Sequence, residues 1–167
     1  MSTQRPAFRT LAIALLATCA FVVPSAASAA APTIWATVNV CDTANAPNTL
    51  GLRGSMPGSS RKGATMWMRF TGQYRSSRKT WKSVAALDTG YLRIGSAKVG
   101  SRQAGHSFRV KAPAKGNSFL LRGLLSFQWR TKKGKAFKTV RRYTTAGHQS
   151  SAGADPPGYS AATCRIR

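Results

Sequence analysis

Three aspartates, Asp42, Asp88 and Asp155, are the only carboxylate side chains in a chain of 167 residues that carries 26 lysines and arginines and no glutamate. Hydrolysis by paired carboxylates needs two of them flanking a scissile bond, and each of these three sits in a turn-like stretch with a ready structural role. A serine nucleophile needs a histidine base steered by an acid. His148, Ser150, Ser151 and Asp155 share one stretch, but nearness in sequence is weak ground for a triad, and no Gly-x-Ser-x-Gly elbow is present. His106, next to Gly105, reads as an ordinary edge histidine. No spacing of cysteine, histidine and acid suggests zinc. Met66, Met68 and Trp67 read as core side chains with no metal ligand nearby. The expectation is a protein that is not an enzyme and that needs neither cofactor nor metal.

Charge is the feature that stands out. A formal net charge of +23 leaves most cations without an acidic partner, so the surface must carry a strong positive potential. The cations concentrate on one segment: Arg122, Arg130, Lys132, Lys133, Lys135, Lys138, Arg141 and Arg142. Its chemistry is electrostatic capture of a polyanion, with stacking added by any of Trp129, Phe137 and Tyr143 that is exposed; core placement suits Trp129 better. Arg75, Arg78, Lys79 and Lys82 extend the same candidate surface.

The element that must position these groups is a hairpin. Phe119, Leu121, Gly123, Leu125, Phe127 and Trp129 share one parity, and Arg122, Ser126, Gln128 and Arg130 share the other, which is the period of a half-buried strand. Lys132, Lys133, Gly134 and Lys135 break the pattern, and 136–145 resumes it, predicting a β-hairpin with a cationic tip. The parity of the second strand is awkward. Val140 inward takes Lys138 and Arg142 with it, whereas Phe137 and Tyr143 inward take Arg141, so an edge or bulged strand is expected.

Elsewhere, strands are predicted over 34–41, 50–56, 64–74, 81–86, 91–95 and 106–112, with a last short one within 159–166. Turns fall at 42–48, 75–80, Asp88-Thr89-Gly90 and 114–117, and 96–105 reads as a loop. The stretch 146–158 should be an irregular surface segment. Short strands at close intervals, with no helical periodicity, argue for an antiparallel two-sheet sandwich, a small closed barrel being the alternative.

The first 29 residues read as a secretory leader: Arg5 and Arg9, an apolar run over 11–23, and a small-residue cleavage site at Ala27-Ser28-Ala29. That run is too short to cross a bilayer, which needs about 20 residues, and no transmembrane anchor is expected. Lipidation at Cys19 is the alternative to cleavage after Ala29. Losing Arg5 and Arg9 takes the formal charge from +23 to +21. Residues 30–167 then form one domain. Its cysteines, Cys41 and Cys164, are expected to pair as a disulfide in an oxidising compartment.

Trp67 to Tyr74, Trp81 to Val84 and the long apolar strand leading into a basic hairpin resemble an immunoglobulin-like or fibronectin type III-like domain. Val38-Asn39-Val40-Cys41-Asp42-Thr43, Arg53-Gly54-Ser55-Met56-Pro57-Gly58 and Ala152-Gly153-Ala154-Asp155-Pro156-Pro157-Gly158 resemble small secreted bacterial proteins of unassigned function. The resemblance implies an all-β, single immunoglobulin-like antiparallel β-sandwich and an extracellular location, and supplies no site residues. Two functions remain open. One is a secreted binding module that docks on an extracellular polyanion, such as a cell-wall polymer, acidic polysaccharide, anionic lipid or nucleic acid. The other is a structural or adhesive domain with no specific ligand.

Overall fold

The computed structural model describes residues 33–167. The expected leader over 1–29, with its expected cleavage site and Cys19, lies outside the described residues. Eight strands follow in order: β1 (Trp35–Cys41), β2 (Thr49–Pro57), β3 (Thr65–Arg75), β4 (Trp81–Ser96), β5 (Ser101–Arg109), β6 (Phe119–Arg130), β7 (Ala136–Tyr143) and β8 (Cys164–Ile166). The described residues contain no helix, so none is long and apolar enough to cross a membrane. One antiparallel sheet has the order β1-β2-β5. The other runs β4-β3-β6-β7, with β8 pairing the start of β6.

β6 is the axis of the larger sheet because its period-2 pattern is the longest. Leu121, Leu125, Phe127 and Trp129 are buried, and across the ladder Met66 faces Trp129, Met68 faces Phe127 and Phe70 faces Leu125. On the other sheet Ala36, Val38, Leu50, Leu52 and Met56 complete the core. Emptying a Phe-sized buried position in such a core costs about 3–5 kcal/mol. Gly54 lets the layers approach, since a Cβ there would lie 2.6 Å from Leu125 Cδ2.

Three sequence expectations change. The segments 81–86 and 91–95 are one strand, β4, which bends through Asp88-Thr89-Gly90 by register shifts instead of turning back. Thr71 pairs with Asp88 and Gln73 with Ser83, so Gly72 alone faces residues 84–87. β5 begins at Ser101, inside the expected loop, because backbone pairing with β2 holds residues whose side chains carry little strand preference. Trp67 is not core: its parity is opposite to that of Met66 and Met68, and it is half-buried on the outer face.

The expected edge strand is found. β7 has no strand partner on its far side and shifts register between Trp129 and Arg130. Its Lys138, Arg141 and Arg142 discourage pairing with another chain.

The Cys41–Cys164 disulfide forms, with Cα atoms 5.3 Å apart and a sequence separation of 123. Although the cysteines lie near the chain ends, the bond joins β1 of one sheet to β8 of the other. The stretch after β7 is irregular, and it covers the outer face of the smaller sheet. His148 stacks on Trp35 at 4.6 Å, Gln103 Oε1 accepts from Ala152 N at 3.0 Å, Asn39 Nδ2 donates to Gly153 O at 2.9 Å, and Thr37 and Ser160 share a hydroxyl hydrogen bond of 2.7 Å. Arg53 Nε of β2 and Ser151 Oγ of the stretch itself are buried without a protein partner. Burial lowers the Arg53 guanidinium below its ordinary pKa.

Candidate anion-binding face

The outer face of the larger sheet is assembled by parity. Residues that alternate with the core positions of β3 and β6 must point away from the core, and their ladder partners on β4 and β7 point with them. Thr65 pairs with Arg130, Trp67 with Gln128, Arg69 with Ser126 and Gln73 with Arg122. On β4, Arg93 stands opposite Trp67, Tyr91 opposite Arg69 and Trp81 opposite Arg75. On β7, Arg141 stands opposite Ser126 and Tyr143 opposite Leu124. The cations that this alternation gathers are arginines, interleaved with Trp67, Trp81, Tyr91 and Tyr143.

Two of these arginines are gripped by rings. The Arg122 guanidinium carbon lies 4.4 Å from the Trp81 ring centre and 3.9 Å from that of Tyr143. Arg130 lies 4.2 Å from Trp67 and 4.9 Å from Tyr91. Each also has its Nε tied down: Arg122 donates to Gln73 Oε1 at 2.9 Å and Arg130 to Gln128 Oε1 at 2.9 Å. Ring contact and the Nε bond fix the guanidinium plane, leaving the Nη groups as a pre-oriented fork for an oxyanion. Burial between the rings lowers the Arg122 pKa, opposed by the neighbouring Tyr143 hydroxyl. An arginine so shifted remains protonated at physiological pH.

The eight expected site residues divide three ways. Arg122, Arg130 and Arg141 share the outer face. Lys132, Lys133 and Lys135 are exposed in the β6–β7 turn, which closes through Thr131 N to Lys135 O and Gly134 N to Thr131 O, each 2.9 Å, with Gly134 at φ 82°. Lys138 and Arg142 take the opposite parity, opposite Trp129 and Leu125. Lys138 Nζ lies 4.9 Å from the Trp129 ring centre. Trp129 is 1% exposed and donates Nε1 to Pro57 O at 2.9 Å, so it offers no stacking. Tyr143 is exposed and stacked by Arg122, while exposed Phe137 lies under Arg61 at 4.6 Å.

Arg75, Arg78, Lys79 and Lys82 do not adjoin the Lys132–Lys135 tip. Tyr74 pairs with Leu121 and Thr65 with Arg130, so the two cationic turns cap opposite ends of the sheet. Arg122 and Arg130 lie eight residues apart on one strand, roughly 27 Å at the usual rise, and Arg69 and Arg141 flank the midpoint at Ser126. At the Arg130 end an open depression of about 780 Å³ is lined in part by Lys62, Arg93, Lys132 and Trp67.

Sequence reasoning passed over Arg69, Arg93, Trp67 and Trp81 as parts of this face. A signal was available for the first and third, because Trp67 and Arg69 share the parity opposite to Met66, Met68 and Phe70.

The carboxylates serve structure. Arg69 binds Asp88 through Nε at 2.8 Å and Nη2 at 2.5 Å, the one salt bridge among the described residues. Hydrogen bonding from Arg69 is the main cause that lowers the Asp88 pKa, against a desolvation effect that raises it. Asp42 Oδ1 accepts from Asn48 N at 2.8 Å and its Oδ2 from Arg167 N at 3.0 Å. Asp155 accepts from Thr43 Oγ1. His148 pairs Nε2 with Thr145 Oγ1 at 3.1 Å. Asp155 and His148 thus have other partners, and Ser151, within the tail, is itself buried, so His148, Ser150, Ser151 and Asp155 do not form a hydrogen-bonded triad. His106 is exposed on edge strand β5, against Phe108 at 4.6 Å. Among the described residues no group of three or more His, Cys, Asp or Glu is placed to hold a metal ion.

No family model, curated protein or solved structure matches this chain.

Proposed function

We propose that this protein is a secreted, non-enzymatic binding module of immunoglobulin-like, fibronectin type III-like architecture that docks on an extracellular polyanion. The strand order β1-β2-β5 against β4-β3-β6-β7 supports the architecture, and the Cys41–Cys164 disulfide supports an oxidising compartment. The observation that carries the binding function is the pair of ring-gripped guanidiniums, Arg122 and Arg130, on a face whose one carboxylate is already engaged by Arg69.

This moves the centre of the site from the hairpin tip to the sheet. A fixed fork loses little side-chain entropy when an oxyanion arrives. The lysines of the tip and the cations around Arg78 add long-range attraction at either end. A linear polymer with repeated anionic groups matches a row of arginines along the strand direction better than a compact ligand does.

The test is retention of the mature protein on immobilised heparin and on single-stranded DNA. Elution at roughly several hundred millimolar salt is expected, with affinity falling steeply as salt rises. Release at or below about 0.15 M salt would favour the second reading, a structural or adhesive domain. That alternative draws on the same stacks: a guanidinium satisfied by two rings and a glutamine also stiffens a sheet with no ligand at all.

A further inference from the structure

The larger sheet opens where β4 leaves its ladder. Gly72 alone faces residues 84–87, and Leu87 packs so closely on it that a Cβ there would meet Leu87 Cβ at 2.7 Å. The bulge draws Val84 and Ala86 away from β3 and leaves a cavity of about 370 Å³ in the seam between β4 and the segment that ends β5. Its walls are Val84, Leu87, Val110 and Leu121. Tyr74 and Phe119, among the few large apolar side chains left exposed, stand at the same cavity. The charged residues lining it are Arg109 and Lys111, and no acid lines it.

We propose that this seam binds a single-chain anionic amphiphile, a medium-chain fatty-acid carboxylate, with the chain between the sheets and the carboxylate at Arg109 and Lys111. The size fits: at ~30 Å³ per water-sized group, the cavity takes roughly twelve carbons, and it falls within the ~300–1,000 Å³ range of small-ligand sites. A protein partner fits worse, because a stable interface needs about 800 Å² on each side and the apolar surface here is confined to the few side chains that line this cavity. The cationic lining selects the ionised acid over a neutral chain. This site lies on a different surface from Arg122 and Arg130, so it stands independently of the polyanion reading.

Calorimetric titration of the mature protein with dodecanoate, below micelle formation, tests the proposal. Saturable one-to-one binding is expected, with dodecanol binding about tenfold more weakly. Ala86→Phe fills the cavity from an exposed position and should abolish dodecanoate binding while leaving retention on heparin unchanged. The surface pair Arg109→Gln with Lys111→Gln leaves the apolar walls intact. It should weaken dodecanoate about tenfold and leave dodecanol alone, which decides the matter if the Phe variant does not fold. Any of four results overturns the proposal: no saturation, equal affinity for the acid and the alcohol, an unaltered titration in a folded Ala86→Phe variant, or binding only to phosphatidylglycerol vesicles.

Discussion

Replacing Arg122 and Arg130 together by lysine separates a built anion site from diffuse charge, because the formal charge of the protein does not change. Arg122 lies against Trp81 and Tyr143 and is anchored to Gln73, while Arg130 lies against Trp67 and Tyr91 and is anchored to Gln128. A lysine keeps the positive charge but has no plane to stack and no fork to offer. Reducing a two-pronged, charge-assisted contact to a single one forfeits about 1 kcal/mol per site. Two sites amount to about 2 kcal/mol, or roughly 30-fold in affinity. The number of ions released on binding stays the same, so the dependence of log affinity on log salt should keep its slope. The comparison is Lys132, Lys133 and Lys135 replaced by glutamine, which on a single strand should flatten the slope by about 2, at ~0.7 per neutralised phosphate. Fluorescence anisotropy with a labelled single-stranded oligonucleotide over a salt series measures both quantities, at a temperature well below each variant's unfolding transition. If the lysine pair binds within about twofold of the parent, the fixed forks contribute nothing and the argument for a site on the sheet fails.

Two further perturbations test the body that presents the face. Replacing Cys41 and Cys164 together by serine removes a closure spanning 123 residues, and urea unfolding should show a loss of about 4–5 kcal/mol on the chain-entropy view; an unchanged midpoint would mean that the unfolded chain gains nothing from release. His148 is held below its ordinary pKa of 6.5 by burial, with its ring stacked on Trp35. The unfolded chain therefore takes up the proton first, so stability owed to the neutral ring is complete above 6.5 and is lost as the pH falls toward the lower folded value. His148→Phe should keep the stack and flatten the stability profile between about pH 7.5 and about pH 5, where carboxylates contribute little; a profile as steep as the parent's would exclude His148 as its source.

Strand parity made much of this molecule legible. β6 follows from its alternation, the edge position of β7 from the conflict between Val140 and its charged neighbours, and the disulfide from an even pair of cysteines. Where the sequence misled, local composition competed with pairing. Asp88-Thr89-Gly90 carries the residues of a turn, yet Asp88 is engaged by Arg69 and Thr89 Oγ1 accepts from Phe70 N at 3.1 Å, so the chain bends within the ladder. Ser101 to Gly105 has little strand preference of its own and is held by β2. The arginine face was half legible. Sequence order groups the cations of β6 and β7, but only the register across four strands brings Arg69, Arg93, Trp67 and Trp81 beside Arg122 and Arg130 and moves Lys138 and Arg142 away.

The covalent link between β1 and β8 has a consequence for what a proteolytic cut does to this molecule. Every hairpin tip and exposed turn of the domain, from the 42–48 connection to the irregular tail, lies inside the ring that Cys41 and Cys164 close. A single cut anywhere in that ring opens a circle and yields two fragments that remain one molecule until the sulfurs are reduced. Such a nicked protein would migrate as an intact chain on a non-reducing gel and as a pair of shorter bands after thiol treatment.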